Sequence, residues 1–353
     1  VQMLNSAFNN SSMKASFKMS GANLDSELNN AKLFNVQIGT QFDHTFTKTL
    51  DFNLDAAINL GKGSSDSLYG NNGYEASSGL SLKEAKVSWS PLSNIELQAG
   101  AINQKVINNK LLVSKTAFLG AREAVKFNTL GLDFELSANQ STPTNANTSN
   151  RLDKVEDQSV VFFVESLSVG KSVRGVGSFK STTSQFAYDN LTNSIAAAST
   201  DLGNSVDGFG AENASFSNSY IGWAQTLEGE KVINNDYSVK GKISYVINTA
   251  AQDGSNEARV YAAKATKHVG DTSYSLAIEN FRSESDASVA YYNAGKYGHS
   301  NKKGNLVGFS YEDKREQLVF NASFGSNKEI KENTYQESEN LIFFSLGKSY
   351  DLF

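Results

Sequence analysis

The feature that most constrains the fold of this sequence is an alternation of apolar and polar side chains with a period of two residues. Phe34, Val36 and Ile38, for example, alternate with Asn35 and Gln37. Successive side chains of a β-strand point to opposite faces of the sheet, so such a segment has one apolar and one polar face. Because segments of about ten residues repeat this pattern and helical periodicity is nearly absent, the sequence predicts an all-β fold.

The connections between these segments are alternately short and long. Seven short turns are predicted, near Lys48, 91–94, 130–131, 169–170, 228–229, 269–270 and Lys314. In four of them a Gly supplies the positive φ that a tight hairpin needs. Seven turns join fourteen strands, and one more strand at each end gives about sixteen, although fourteen or eighteen also fit. The predicted strands include 157–167, 171–181 and 215–225, and both prolines, Pro91 and Pro143, fall between strands.

Strand length and loop pattern favour a sheet embedded in a membrane. Of the 353 residues 39% are hydrophobic, and 22 Phe and 14 Tyr exclude a disordered chain. Ten residues suffice for a tilted strand to cross a bilayer, and alternating loop lengths are typical of membrane barrels. A sheet in lipid must close on itself. We therefore predict one transmembrane antiparallel β-barrel over residues 1–353, with short periplasmic turns and long extracellular loops; a soluble β-sandwich or a pair of β-helices is the alternative.

Composition also excludes several classes of function. The chain has no Cys and only three His, which leaves little for a metal centre or a nucleophile–histidine pair. A net charge of −5 without a basic run argues against a nucleic-acid partner. The stretch 201–210 is only loosely similar to a calcium loop, because its spacing departs from the EF-hand pattern. We therefore expect no enzyme activity, no metal and no cofactor.

The alternating strands, the loop pattern and the terminal Phe353 together resemble the sixteen-stranded general porins of the Gram-negative outer membrane. The resemblance covers nearly the whole chain and lies in the pattern rather than in a motif. It implies a water-filled channel in the cell outer membrane for passive diffusion of small hydrophilic solutes and ions. It also implies a homotrimer surrounded by outer-membrane lipid and lipopolysaccharide.

If the apolar face meets lipid, charged residues on the polar face line the pore. The predicted inward basic residues are Lys14, Lys18, Lys86, Arg122, Lys126, Arg174, Lys180, Lys240, Lys242 and Arg259. The predicted inward acidic residues are Asp43, Asp51, Asp55, Glu84, Glu96, Asp133, Glu135, Glu165, Glu279 and Glu312. Since ten cations stand against ten anions, wall charge alone sets no ion preference.

The third long loop, residues 104–118, carries Lys105, Lys110 and Lys115. In the porin family this loop usually folds into the barrel and is acidic, so a basic loop departs from the pattern. One hypothesis is that the loop narrows the lumen and that its lysines, together with Arg122 and Lys126, favour anions. The alternative is an external loop that packs on a neighbouring subunit.

Two other functions stay open. A substrate-selective channel for a sugar, nucleoside or small acid would use inward aromatic side chains, for which Phe163, Phe281 and Tyr261 are candidates. A structural or adhesive barrel would have its lumen plugged, and the stretch 181–214 is long enough to do this. Trp89 and Trp223 lie next to predicted short turns, where a membrane interface would explain them.

Overall fold

A computed structural model describes residues 10–26, 29–67, 78–114, 116–143 and 159–353. These residues form a closed antiparallel barrel of sixteen strands in which neighbours in sequence are neighbours in the sheet. The strands are β1 (Ser11–Asp25), β2 (Asn29–Thr47), β3 (Leu50–Ser67), β4 (Gly79–Leu92), β5 (Ile95–Asn103), β6 (Ala117–Thr129), β7 (Leu132–Pro143), β8 (Val161–Val173), β9 (Gly177–Asp189), β10 (Ile221–Val232), β11 (Tyr237–Asn248), β12 (Glu257–Val269), β13 (Thr272–Ser283), β14 (Lys302–Asp313), β15 (Leu318–Glu329) and β16 (Glu339–Asp351).

The barrel closes where the two ends of the chain meet. β1 pairs with β2 on one side and with β16 on the other. The pairing continues past the end of β16, where the Met13 amide donates to the Phe353 carbonyl at 3.0 Å. Closure gives every described strand a hydrogen-bonded neighbour on both sides, which a bilayer requires because it offers no water to the backbone.

The alternation divides the strands into two faces as the sequence predicts. Outward side chains are mostly apolar and exposed, as are Phe17, Ile38, Leu136, Leu276 and Phe324. Their sequence neighbours point inward and are mostly polar. Among the described residues, no helix is both long and apolar enough to span a bilayer. The predicted all-β barrel with about sixteen strands is therefore confirmed.

Five of the seven predicted short turns lie where the sequence places them. At 130–131 both central residues are left-handed, with φ of 54° at Leu130 and 69° at Gly131, as a type I′ hairpin requires.

The turns predicted at 169–170 and 228–229 are wrong. Gly170 lies inside β8, paired with Asp133 and Lys180, and Gly229 lies inside β10, opposite Gly241. β8 to β10 consequently end about six to eight residues later than predicted. A glycine signals a turn through its backbone freedom, but here it accommodates neighbouring strands instead.

Other boundary predictions need smaller corrections. Pro91 and Pro143 lie within the last two residues of β4 and β7 rather than between strands. Trp89 is near the short-turn end of β4, whereas Trp223 lies at the long-loop end of β10, so the two Trp mark opposite edges of the barrel. The β9–β10 loop (190–220) contains the helix α1 (Asn193–Thr200) and a small two-stranded sheet.

Candidate functional site

The third loop, described over residues 104–114 and 116, leaves β5 and turns into the lumen. It opens with a 3-10 helix, Gln104–Ile107, capped by the Asn103 side chain, which accepts a hydrogen bond from the Lys105 amide at 2.9 Å. Asn108 ends this turn with a left-handed φ of 57°. Asn adopts this conformation at a lower cost than most residues, so the loop can bend sharply here.

The tip of the third loop is bound to the wall formed by β10 and β11. The Asn108 side chain donates to Glu228 at 3.1 Å, and the Lys242 ammonium donates to the Asn108 carbonyl at 2.9 Å. Asn109 donates to the Tyr245 carbonyl at 3.1 Å. β10 lies four strands beyond β6 in the sheet. The loop therefore crosses the lumen and divides it.

A second set of bonds joins the third loop to the β13–β14 loop (284–301). Ser288 Oγ donates to the Leu111 carbonyl at 2.6 Å, the Ser114 amide donates to the Tyr292 carbonyl at 2.8 Å, and the Ala294 amide donates to the Lys110 carbonyl at 3.1 Å. Of the two alternatives for this loop, the structure thus has the internal one.

The sector of the lumen between the third loop and strands β8 to β13 is filled by an apolar cluster. Leu111, Leu112 and Val113 of the third loop are buried in it. Inward side chains of the wall complete it, among them Phe162, Val164, Phe186, Tyr188, Val246, Val260 and Phe281. A close-packed apolar cluster leaves no path for a hydrated solute, so we look for a passage on the other side of the loop.

On that other side is a cavity of about 840 Å³. Its wall carries small inward residues, Ser275, Ala277, Gly308, Ser310, Ser323 and Gly325. The charged residues that line it are Lys110, Lys264, Lys296 and Glu279. Lys296 forms a salt bridge with Glu279 at 2.6 Å. Lys264 has no salt bridge within the described part of the chain, so the cavity is basic.

Five of the ten predicted wall cations form the salt bridges described next. Arg122 and Lys126 contact Glu135 and Glu96, each at 2.5 Å. Glu84 binds Lys86 and, at 3.0 Å, Lys105 of the third loop. Lys240 reaches Glu228 at 3.6 Å, and Lys14 reaches Asp351 at 3.5 Å at the short-turn mouth. Lys18 and Lys180 point inward without a salt bridge among the described residues. Lys115 lies outside the described residues.

Some side chains face differently from the predictions. Arg174 is not on a strand but in the turn after β8, because that turn comes later than predicted. Glu165 and Arg259 share a face with exposed apolar neighbours and point outward, since β8 and β12 carry apolar side chains on both faces. Phe163 and Tyr261 also point outward, 40% and 48% exposed, whereas Phe281 points inward and is buried.

Sequence reasoning also missed inward charges. Lys83 reaches Asp55 at 3.6 Å and Gln37 at 3.2 Å, although the next residue, Glu84, also faces the lumen. A register shift between β3 and β4 permits this, because a β-bulge turns two successive side chains to one face. The sequence signal for this bulge is the pair of consecutive charged residues, Lys83 and Glu84, in a strand that otherwise alternates.

Burial perturbs two groups in the β13–β14 loop. Burial, with the nearby Glu279 carboxylate and its hydrogen bond as lesser causes, raises the pKa of the Tyr297 hydroxyl well above its usual range. Burial lowers the pKa of His299 to about 4, although its hydrogen bond to the Ala290 carbonyl acts in the opposite direction. Tyr297 and His299 are therefore neutral at pH 7. In the described part of the chain, no three acidic or His side chains are grouped as a metal site would need.

The fold is that of known outer-membrane barrels. OprB of Pseudomonas putida is 10% identical and has a TM-score of 0.60, with 99% of this chain and 96% of that chain covered. A loop-deletion mutant of OmpT, an outer-membrane protein of Vibrio cholerae, is 9% identical with a TM-score of 0.56 over 96% and 99%. OccK11 (OpdR) of Pseudomonas aeruginosa is 12% identical with a TM-score of 0.50 over 97% and 96%. No family model and no curated protein matches the sequence.

These likenesses establish the fold alone, that of an outer-membrane β-barrel, and the described residues form its sixteen strands. At such low identity they do not assign a solute. The solute class has to be argued from the lumen.

Proposed function

We propose that this protein is an outer-membrane channel through which small hydrophilic solutes diffuse passively, with a preference for anions. One observation carries the preference: the cavity beside the third loop is lined by Lys110, Lys264 and Lys296 against a single carboxylate, Glu279. A narrow passage with excess positive charge lowers the energy of an anion and raises that of a cation. The small residues of the opposite wall supply the width.

Ion selectivity in planar bilayers tests this proposal. We expect single channels that open in steps and a reversal potential in a salt gradient that indicates anion preference. In the variant Lys110→Gln/Lys264→Gln the anion/cation permeability ratio should fall by about twofold or more, because two positive charges leave the cavity beside the third loop.

The matched control is Lys171→Gln/Lys231→Gln, which removes two lysines that point outward near the short turns. It should leave the ratio unchanged. A folded protein without conductance would contradict the channel itself, and an unchanged ratio in the Lys110/Lys264 variant would contradict the anion preference alone.

A selective channel for small organic acids is the second candidate. Leu306, Leu341 and Phe343 point inward and line the same cavity as the lysines. A solute with a carboxylate and an apolar body would contact both kinds of side chain. Benzoate should then block chloride current at lower concentrations than acetate does, and Phe343→Ser should remove the difference. Equal block by both acids would favour unselective diffusion.

A further inference from the structure

An amine, a carboxamide and a carboxyl group meet inside the barrel at the long-loop end of its last three strands. Lys302 is the first residue of β14, Glu339 is the first residue of β16, and Asn327 lies two residues before the end of β15. Asn327 is directly opposite Glu339 on one side and Gly304 on the other, so Lys302 is its diagonal neighbour on the inner face. We call Lys302, Asn327 and Glu339 the rim triad.

One carboxylate holds the other two members of the rim triad. The Lys302 ammonium lies 3.4 Å from Glu339 Oε1, and the Asn327 side chain donates to Glu339 Oε2 at 3.3 Å. The Lys302 ammonium also donates to the Glu337 carbonyl. Because both side chains contact the same carboxylate, the amine and the carboxamide are kept side by side.

The rim triad is shielded from water. Lys302 is 1% exposed, and Glu339 is buried as well. The Asn327 carbonyl oxygen is buried and accepts no hydrogen bond from the described residues. Gly298 of the β13–β14 loop, with a φ of 71°, lies over this corner: a Cβ there would be 3.0 Å from Lys302 Cγ and 3.2 Å from Asn327 Nδ2. The loop backbone therefore packs directly on both side chains.

Burial gives the members of the rim triad reactive forms. A buried ion pair is a weak source of stability, because desolvation offsets the attraction between its charges. Surroundings of low polarity favour the neutral amine and the neutral carboxylic acid over their charged forms. A neutral, desolvated lysine amine is a nucleophile, and reactants that are already positioned together need no encounter step. The triad thus contains a nucleophile, an acyl group and a proton carrier.

We propose that Lys302 and Asn327 join in an intramolecular isopeptide bond, with Glu339 as the proton carrier. Glu339 first takes a proton from the Lys302 ammonium, and the electron pair of the neutral amine attacks Asn327 Cγ. The Nζ–Cγ bond forms and the Cγ–Nδ2 bond breaks. Nζ gives up two protons in all, both reach the departing nitrogen through Glu339, and ammonium leaves. Glu339 ends as a carboxylate, and the balance needs no oxidant or reductant.

The bond fastens β14 to β15 at their long-loop ends. With it, the hairpin formed by these two strands becomes a covalent ring from residue 302 to residue 327. A cross-link of this kind stabilises a fold chiefly by constraining the unfolded chain. The inference does not depend on channel activity, so a failure of the conductance test leaves it intact.

Glu329 offers a rival reaction. It is directly opposite Lys302 in the sheet, and its Oε2 is buried without a hydrogen bond from the described residues. It forms no salt bridge with Lys302 in that part of the chain, whereas Glu339 does. Condensation of Lys302 with either carboxyl group would release water, but reaction with Asn327 releases ammonia. The mass of the product therefore distinguishes the two reactions.

Mass spectrometry of the detergent-purified full chain tests the bond. We expect a mass lower than that of the unmodified sequence by one ammonia molecule and, after proteolysis, a branched peptide in which Lys302 is joined to Asn327. Glu339→Gln keeps the amine and the carboxamide but removes the proton carrier, so it should yield at least about tenfold less branched peptide. Lys302→Met should yield none and should lose no ammonia.

The matched control is Lys303→Met, which removes the next lysine of β14, on the outer face of the barrel. It should keep both the ammonia loss and the branched peptide. Linear peptides alone from the folded wild-type chain would overturn the proposal, and this result needs no variant to fold. A loss of water instead of ammonia would also overturn it. So would an ammonia loss that persists in Lys302→Met, because Asn327 would then have reacted without the lysine. An undiminished yield in Glu339→Gln would overturn the role of Glu339.

Discussion

At the scale of single residues, His299 shows how the loops inside the barrel depend on neutral side chains. Its Nδ1 lies 2.9 Å from the Ala290 carbonyl and 3.1 Å from Asn293 Oδ1. Its ring packs against Gly295, where an added Cβ would lie 2.9 Å from Nε2. A protonated imidazole would gain a second donor, at Nε2, in this half-buried position, where burial disfavours the charged form.

We therefore expect the β13–β14 loop to loosen in acid. Burial lowers the pKa of His299 to about 4, whereas an unfolded loop has a histidine pKa of about 6.5. The unfolded loop binds the proton first, so loop stability is full above about pH 6.5 and falls as pH drops toward about 4. The hydrogen-exchange protection factors of residues 284–301, which correct for the pH dependence of the intrinsic exchange rate, should fall over this range. In His299→Gln this fall should be absent, and its persistence there would assign it to another group.

Single residues also mark the limit of prediction from the sequence. Alternation puts Lys126 on the inner face, where the structure also has it, because its sequence neighbours Val125 and Phe127 are apolar and exposed on the outer face. It fails for Glu165 and Arg259, whose strands carry apolar side chains on both faces. Period-two reasoning compares one face with the other, and it cannot choose when an internal cluster makes the inner face apolar too.

At the scale of elements, the third loop is held by its own apolar side chains as much as by hydrogen bonds. Leu112 is fully buried between the wall and the β13–β14 loop. The sequence showed the lysines of this loop and its aliphatic residues, but their packing partners come from strands more than forty residues away. The run 160–164, apolar on both faces, was the signal that an internal cluster exists.

Leu112→Ala should release the third loop without opening the barrel. Truncating a buried Leu costs about 2–5 kcal/mol, and here the loss falls on the contact between loop and wall. We expect noisier and larger single-channel currents, faster hydrogen exchange at 104–114, and unchanged heat-modifiable migration in gels. The matched control, Leu119→Ala, truncates an exposed outward Leu and should leave the currents unaltered. Identical currents in the unmodified protein, Leu112→Ala and Leu119→Ala would contradict the idea that Leu112 holds the third loop against the wall.

At the scale of the whole molecule, each strand has one face toward the lumen and one face toward the outside of the barrel. Ala277 and Ile278 are adjacent in β13, yet one lines the basic cavity and the other is exposed on the outer face. The existence, approximate number and pairing of the strands follow from the alternation of apolar and polar faces, so they could be predicted from the sequence. The division of the lumen by the third loop depends on packing between distant residues, so it could not be predicted.

Substituting lysine at these two positions should have very different consequences. Ile278→Lys places a charge near the bilayer midplane and should lower the free energy of unfolding by about 2–4 kcal/mol. Ala277→Lys places the same charge beside water and should change it by less than about 1 kcal/mol. Urea unfolding in lipid vesicles measures both. Equal destabilisation would mean that the outer face at Ile278 is not in lipid.

Between its junctions with β5 and β6, the third loop is hydrogen-bonded through Asn108, Asn109 and Leu111 to β10, β11 and the β13–β14 loop. A loop held at these three residues cannot move out of the lumen as a hinged lid does. The width of the passage is then a permanent dimension of the molecule, like the mesh of a sieve. Exclusion by size should consequently be the same at every membrane voltage.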